Sequence, residues 1–139
     1  MKKIVLWIMV MTFGLTTLMA NESNYTLESL TKEIKNSSKP TVVYFRKNSC
    51  ASCDELEKYT FTNKSVQEIL KNFTFIKVDV GDFNRLKENK KILKKFNLFG
   101  TPSMVFFDKN HIEQDEKLVG FQTATKFIEH LNKFVVKDE

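Results

Sequence analysis

Two cysteines are the residues of this sequence whose type and spacing most clearly suggest chemistry. Cys50 and Cys53 are separated by two residues, and the chain contains no other cysteine. A structural disulfide stabilises most when it closes a long loop, so a bridge at this spacing adds little stability. Two nearby thiols can instead form and break a disulfide by exchange, because a thiolate attacks a disulfide sulfur. The pair therefore predicts redox chemistry.

Metal binding is the competing use of a Cys-x-x-Cys motif. Tetrahedral zinc needs two further ligands, and neither His111, in an expected turn, nor His130, on the last expected helix, has a partner nearby in sequence. We expect both histidines at the surface. Asp54 and Glu57 could contribute, but the helix dipole explains carboxylates near a helix start more simply. We predict no metal and no other cofactor, with zinc ligation and a chemically inert pair as alternatives.

A strand and a helix must hold the cysteine pair. Residues 41–45 form a continuous apolar run rich in β-branched and aromatic types, which predicts a buried strand. Residues 54–59 are expected to be helical, with Cys50 at the opening of this helix. Unpaired N–H groups and the helix dipole stabilise a thiolate there. Cys50 is thus the predicted attacking sulfur, and Cys53, one turn later, the resolving sulfur.

The remaining segments alternate between helix and strand. Apolar periodicity predicts further helices over residues 25–36, 65–71 (capped by Asn63), 83–96 and 123–135, and further strands over 73–80, 103–107 and 116–119. Strands joined through helices pair in parallel, whereas the last two strands, joined by a short turn, must form an antiparallel hairpin. We therefore expect an α/β fold with a mixed central sheet of about four or five strands and helices on both faces.

The first 20 residues differ from the rest of the chain. Two lysines precede an almost wholly apolar run over residues 4–11, which is typical of a secretory signal. An uncleaved inner-membrane anchor is the alternative, because residues 4–20 reach the lower length limit of a membrane span. The expected organisation is a signal peptide over residues 1–20 and one domain over residues 21–139, with the domain exported to the periplasm of a bacterium.

Composition fits a single globular domain. The chain is 42% hydrophobic and has 13 Phe, enough for an ordinary core, so Phe99 and Phe121 are assigned to the core by default. The net charge of +5 falls to +3 without residues 1–20, because 20 basic and 17 acidic residues remain. This mild charge favours solubility, and we expect a monomer that does not bind nucleic acid.

A second motif, Gly-Thr-Pro-Ser over residues 100–103, directly precedes a predicted strand. Proline has no backbone N–H to donate to a neighbouring strand. Inside a sheet it is therefore normally found only at the first position of a strand. A proline placed here is often preceded by a cis peptide bond, and an ordinary turn proline is the alternative.

Together these motifs resemble the thioredoxin superfamily, and more narrowly the C-terminal periplasmic domain of DsbD-type transmembrane electron transporters. The resemblance covers about residues 39–131. It is carried by three segments, namely Cys-Ala-Ser-Cys-Asp-Glu-Leu-Glu-Lys-Tyr-Thr-Phe over residues 50–61, Leu-Phe-Gly-Thr-Pro-Ser-Met-Val-Phe-Phe-Asp over 98–108, and Val-Gly-Phe over 119–121. The resemblance implies the thioredoxin fold, with its domain over residues 21–139.

The resemblance also implies a set of site residues. Cys50 and Cys53 would be catalytic, and a cis bond between Thr101 and Pro102 would lie against the sulfurs, where the neighbouring backbone binds a substrate peptide. Glu57 aligns with an acidic residue that tunes the acidity of the cysteines, and a solvated carboxylate is its alternative interpretation.

Two departures from the family pattern concern proton transfer. A buried acid is usual six residues before the first cysteine, where this chain has Tyr44, and a tryptophan is usual at Ser49. Tyrosine has a pKa near 10 and is a poor base at neutral pH. Either Glu57 or water must then take the proton from Cys53. Lys77, on the next strand, is expected either to offset the charge of Glu57 or to lie at the surface.

The resemblance suggests a periplasmic thiol:disulfide oxidoreductase of the reductase type. The sequence has no multi-helix membrane region, so we expect a separate integral-membrane thiol donor to reduce the cysteines. Oxidised exported proteins are the expected substrates, with cytochrome c assembly factors as one client class. The alternatives are a disulfide oxidase or isomerase, and a redox-inactive binding module on the same fold.

Overall fold

A computed structural model describes residues 24–135, so the predicted signal peptide lies outside the described residues. Within them, four strands and five α-helices follow one another, together with one π-helical and one 3₁₀ segment. In chain order these are α1 (Leu27–Asn36), β1 (Thr41–Arg46), α2 (Ala51–Glu55), the π-helical segment (Leu56–Phe61), α3 (Lys64–Leu70), β2 (Thr74–Asp79), the 3₁₀ turn (Phe83–Arg85), α4 (Leu86–Lys95), β3 (Ser103–Phe107), β4 (Leu118–Val119) and α5 (Ala124–Val135).

The four strands form one mixed sheet in the order β2-β1-β3-β4. Strand β1 is parallel to β2 and antiparallel to β3, and β3 is antiparallel to β4. Arg46 pairs with Asp79, and Ser103 pairs with Val119, so the loops that adjoin these four residues meet at one end of the sheet. The predicted mixed α/β architecture is therefore confirmed, with four strands in the described part of the chain.

Each face of the sheet has its own core because side chains alternate along β1. One core lies under α1 and α4. Its fully or almost fully buried members include Leu30, Ile34, Val43, Phe45, Val78 and Ile92. The other core lies under the π-helical segment, α3 and α5. Its buried members include Val42, Tyr44, Leu56, Val66, Phe106 and Phe127. Strand β1 is buried on both faces, as its unbroken apolar run predicts.

The largest differences from the sequence-based prediction are local. The helix expected over residues 54–59 begins earlier, at Ala51, and widens into the π-helical segment. The helix expected over residues 83–96 begins as a 3₁₀ turn, capped by the Asp82 side chain. Strand β4 has two residues instead of four, because the chain before it makes only an isolated bridge to Phe107. The predicted Asn63 cap is present at α3.

Interactions near Asn24, the first described residue, fix how the chain enters the domain. The Tyr25 carbonyl accepts a hydrogen bond from Arg85 Nη2 at 2.7 Å, and the Leu27 N–H donates to Glu88 Oε1 at 2.8 Å. Asn24 itself lines a surface groove together with residues 47–49, the loop that precedes Cys50. The N-terminal segment therefore joins the domain beside the cysteine pair.

The surface placement expected for the two histidines is wrong for His130. This residue is almost fully buried, between Phe106 at 4.3 Å and Phe134 at 5.7 Å between ring centroids. A signal was present in the sequence, because His130 occupies the i+3 position of the apolar stripe that starts at Phe127. His111 is half-buried, and its Nε2 lies 2.8 Å from the Ser37 carbonyl oxygen.

Burial of His130 predicts a pH-dependent stability. Desolvation lowers the pKa of His130 below its ordinary value of 6.5, and Lys133 adds to this, while Glu116 opposes it. The unfolded chain then binds the proton more tightly, so the free energy of unfolding should fall as the pH drops below about 6.5. Urea unfolding at about pH 7.5 and 5.5 should show this loss, and the loss should be smaller in His130→Asn. An equal loss in both proteins would contradict the assignment.

Candidate redox site

The cysteine pair lies at the start of α2. Cys50 is the N-cap residue of this helix, the Cys53 backbone N–H lies 3.2 Å from Cys50 Sγ, and the two residues form a disulfide with Cα atoms 5.2 Å apart. Cys50 is 7% exposed, whereas Cys53 is fully buried. Of the two cysteines, Cys50 is therefore the one that a second molecule can approach, and its attacking role stays a prediction.

The loop before Cys50 is held close to the neighbouring strand. The Val80 N–H donates to the Arg46 carbonyl at 2.8 Å. A Cβ atom at Gly81 would come within 2.7 Å of the Lys47 Cβ, so only glycine allows this approach. Ser49 has a φ of 56°, which turns the chain into the helix. The family's usual tryptophan position is thus occupied here by a small residue in the left-handed region.

The Thr-Pro motif lies against the cysteines. The Thr101–Pro102 peptide bond is cis, and both the Thr101 carbonyl oxygen and its Oγ1 lie 3.6 Å from Cys50 Sγ. The Pro102 carbonyl accepts a hydrogen bond from the Gly120 N–H at 2.9 Å. The two motifs are 51 residues apart in sequence and in contact in the fold. Their catalytic and substrate-binding roles stay predictions.

Glu57 lies in a cluster of polar side chains beneath α2. Its Oε1 lies 3.1 Å from the Tyr44 hydroxyl, 2.8 Å from Arg46 Nε and 3.4 Å from Lys77 Nζ. Lys77 is only 17% exposed, so the alternative of plain surface exposure is wrong for it. Glu57 is likewise partly shielded and paired rather than free in solvent. One carboxylate oxygen thus faces a hydroxyl and a guanidinium from β1 and an ammonium from the neighbouring edge strand β2.

Tyr44 occupies the interior position where the family usually carries an acid. Its side chain is fully buried, and its hydroxyl donates to Glu57 Oε1 and lies 3.5 Å from the Cys53 carbonyl oxygen. Burial, and then the negative charge of Glu57, raise the pKa of Tyr44 well above its ordinary value of 10. Tyr44 therefore remains neutral at physiological pH and does not act as the missing base.

Arg46 is a site residue that the sequence-based reasoning missed. It ends β1, its Nη2 lies 3.2 Å from Asp54 Oδ1, and it also pairs with Glu57. A signal was available, because residues two apart on a strand share a face and Arg46 lies two residues after Tyr44. Its position at the end of an apolar run gave no indication that a helix would cover it.

Several apolar side chains are exposed in or next to the loops at the end of the sheet that carries Cys50. The default placement of Phe99 and Phe121 in the core is wrong: Phe99 is 93% exposed and Phe121 is 40% exposed. Phe83 and Val119 are exposed as well. All four lie in or beside the loops that meet at this end.

The described residues contain neither a metal-ligating cluster nor a membrane-spanning helix. Residues 24–135 contain no group of three or more His, Cys, Asp or Glu side chains placed to hold a metal ion. Across the same range, every helix is too short or too polar to cross a membrane.

A family model described as a thioredoxin-like domain matches residues 27–135, which is most of the chain. The chain belongs to the thioredoxin-like family. Among curated proteins, this thioredoxin-like domain is similar to the thiol:disulfide interchange protein DsbD of Haemophilus ducreyi, at 38% identity over 60% of the chain, and of Pectobacterium atrosepticum, at 35% over 78%. The matched region spans only 14% and 18% of those two proteins.

Solved structures agree with this family assignment. The DsbD C-terminal domain of Neisseria meningitidis, in its oxidised form, is 29% identical with a TM-score of 0.62, covering 77% of this chain and 90% of that one. A thioredoxin from Thermus thermophilus is 20% identical with a TM-score of 0.64, covering 81% and 86% respectively, and it supports the fold alone. The thioredoxin fold is therefore confirmed for this thioredoxin-like domain.

Proposed function

We propose that the chain is a thiol:disulfide oxidoreductase that works as a reductase of exported proteins. The observation that carries this proposal is the Cys50–Cys53 disulfide at the start of α2, with one sulfur accessible and Thr101 and Pro102 against it. The similarity to DsbD, a thiol:disulfide interchange protein, and to its C-terminal domain supports interchange chemistry.

In the proposed mechanism, the Cys50 thiolate attacks one sulfur of a substrate disulfide. A mixed disulfide forms between Cys50 and the substrate, and the other substrate sulfur leaves as a thiolate and takes a proton from water. The Cys53 thiol loses its proton to water and attacks the Cys50 sulfur. This step releases the second substrate thiol and leaves the Cys50–Cys53 disulfide, so two electrons pass to the substrate.

A separate donor must then return two electrons to the cysteine pair. We propose an integral-membrane thiol transporter for this step, because the matched DsbD proteins are much longer than the region they share with this chain. The proposed location is the periplasm, with residues 1–20 as the export signal and residues 21–139 as the exported domain. Oxidised exported proteins are the proposed substrates, and cytochrome c assembly factors are one class.

The reduction potential of the Cys50–Cys53 disulfide tests the direction of electron flow. Equilibration of the domain over residues 21–139 in dithiothreitol or glutathione buffers should give a value well below about −200 mV, as expected for a reductant. A value near about −120 mV is typical of a strong oxidant and would make the protein an oxidase. Full cellular activity of a variant lacking both cysteines would instead identify a redox-inactive binding module.

A further inference from the structure

A shielded arginine links two carboxylates that follow Cys53. The Arg46 side chain is 11% exposed, and it contacts Asp54 through Nη2 at 3.2 Å and Glu57 through Nε at 2.8 Å. Asp54 lies in α2, and Glu57 lies in the π-helical segment. The Arg46 guanidinium therefore contacts the helix on both sides of the point where α geometry changes to π geometry, shortly after Cys53.

The arginine itself is held by the sheet. Its backbone carbonyl accepts from the Val80 N–H at 2.8 Å, and it ends the central strand β1. A guanidinium presents several N–H groups in a rigid plane, so it can hold two carboxylates in one fixed arrangement, whereas the donors of an ammonium group rotate about a single point. Asp54 is mostly exposed and Glu57 is more shielded, so the pair with Glu57 is the less screened of the two.

We propose that Arg46 is a positioning residue of the redox site, which holds Glu57 in place about one helical turn after Cys53 and balances its charge so that no unpaired carboxylate opposes the cysteine thiolates. This role rests on the proposed thiol:disulfide exchange, because thiolates are the reacting species. In this role Glu57 stays a fixed negative charge. Water then accepts the proton that Cys53 loses.

The other two side chains that contact Glu57, Tyr44 and Lys77, cannot replace Arg46. The Tyr44 hydroxyl supplies a hydrogen bond, but the residue is neutral and adds no balancing charge. Lys77 Nζ lies farther from Glu57 Oε1 than Arg46 Nε does, at 3.4 Å. Without Arg46, the charge of Glu57 would be only partly offset, and a nearby negative charge disfavours ionisation of a thiol.

The test measures the pH dependence of Cys50 alkylation in the reduced protein. Arg46→Met keeps a long apolar side chain but removes the charge, and it should raise the pH midpoint of alkylation by at least about 0.5 unit. Adding Glu57→Gln should cancel most of this shift, because the charge that Arg46 balances is then gone. Arg46→Lys should restore part of the wild-type midpoint, since an ammonium keeps the positive charge but lacks the rigid donor plane of the guanidinium.

Lys71→Met is the matched control, because it also removes one cation from an ion pair, in this case with exposed Glu68 at 2.7 Å, and should leave the midpoint unchanged. If Arg46→Met fails to fold, Arg46→Gln should show the same upward shift. An equal shift with and without Glu57, or a lowered melting temperature with an unchanged midpoint, overturns the positioning role. A wild-type protein that reduces no disulfide contradicts the proposed function but leaves these midpoints measurable, so the two failures are distinct.

Discussion

Cys53→Ser is expected to accumulate a mixed disulfide between Cys50 and its substrate, with turnover reduced by at least about 100-fold. Cys50 keeps 7% exposure beside Thr101 and is the sulfur that a second molecule can approach, but Cys53 is fully buried and can react only with Cys50. A serine at position 53 cannot break the mixed disulfide, so the reaction stops after its first step.

The trapped species should be visible on non-reducing gels of periplasmic extracts and should disappear on addition of dithiothreitol. Cys50→Ser combined with Cys53→Ser is the control, since it removes the attacking sulfur and should capture nothing. Cys50→Ser alone should also be inactive, because the remaining thiol is inaccessible to substrates. Wild-type turnover in Cys53→Ser, with no trapped partner, would falsify the two-cysteine mechanism.

Phe127→Ala should lower the free energy of unfolding by about 3–5 kcal/mol, because it opens a cavity where α5 packs on the π-helical segment. Phe127 is fully buried, and its ring centroid lies 5.7 Å from that of Phe61 in the π-helical segment. Phe61 in turn contacts Tyr44 edge-on at 4.9 Å. The loss removes both buried apolar surface and an aromatic contact beneath the site.

Chemical denaturation measures this change, and thermal unfolding should show a decrease in Tm of more than about 10 °C. Phe99→Ala is the matched control, because it deletes the same side chain from a position that is 93% exposed. That variant should stay within about 0.5 kcal/mol of the wild type. Similar losses in both variants would mean that burial does not distinguish these two phenylalanines.

Much of the fold follows from patterns that are local in the sequence. The run over residues 41–45 has no charged residue and is dominated by β-branched and aromatic side chains, which is typical of a strand covered on both faces. The cysteine pair and the Thr-Pro motif are equally local, and each directly adjoins a predicted strand. Their contact could be expected once the resemblance fixed the strand order.

The charge cluster could not be predicted in the same way, because it depends on strand register and on the height of a helix above the sheet. Tyr44 pairs with Lys77 across two parallel strands, and this pairing places both beneath Glu57. No spacing rule along the sequence relates these three residues. The exposure of Phe99 is equally nonlocal, since it depends on which end of the sheet the helices leave uncovered.

The entry of the chain at Asn24, beside the loop that precedes Cys50, has a consequence for the geometry of electron delivery. If residues 4–20 stayed in a bilayer, only three residues would separate them from Asn24, and three residues of chain span at most roughly 10 Å. The accessible sulfur would then remain close to the lipid surface, at a high effective concentration toward a donor embedded in the same membrane. Cleavage of the signal peptide would remove this proximity and would let the domain diffuse freely to substrates far from the membrane.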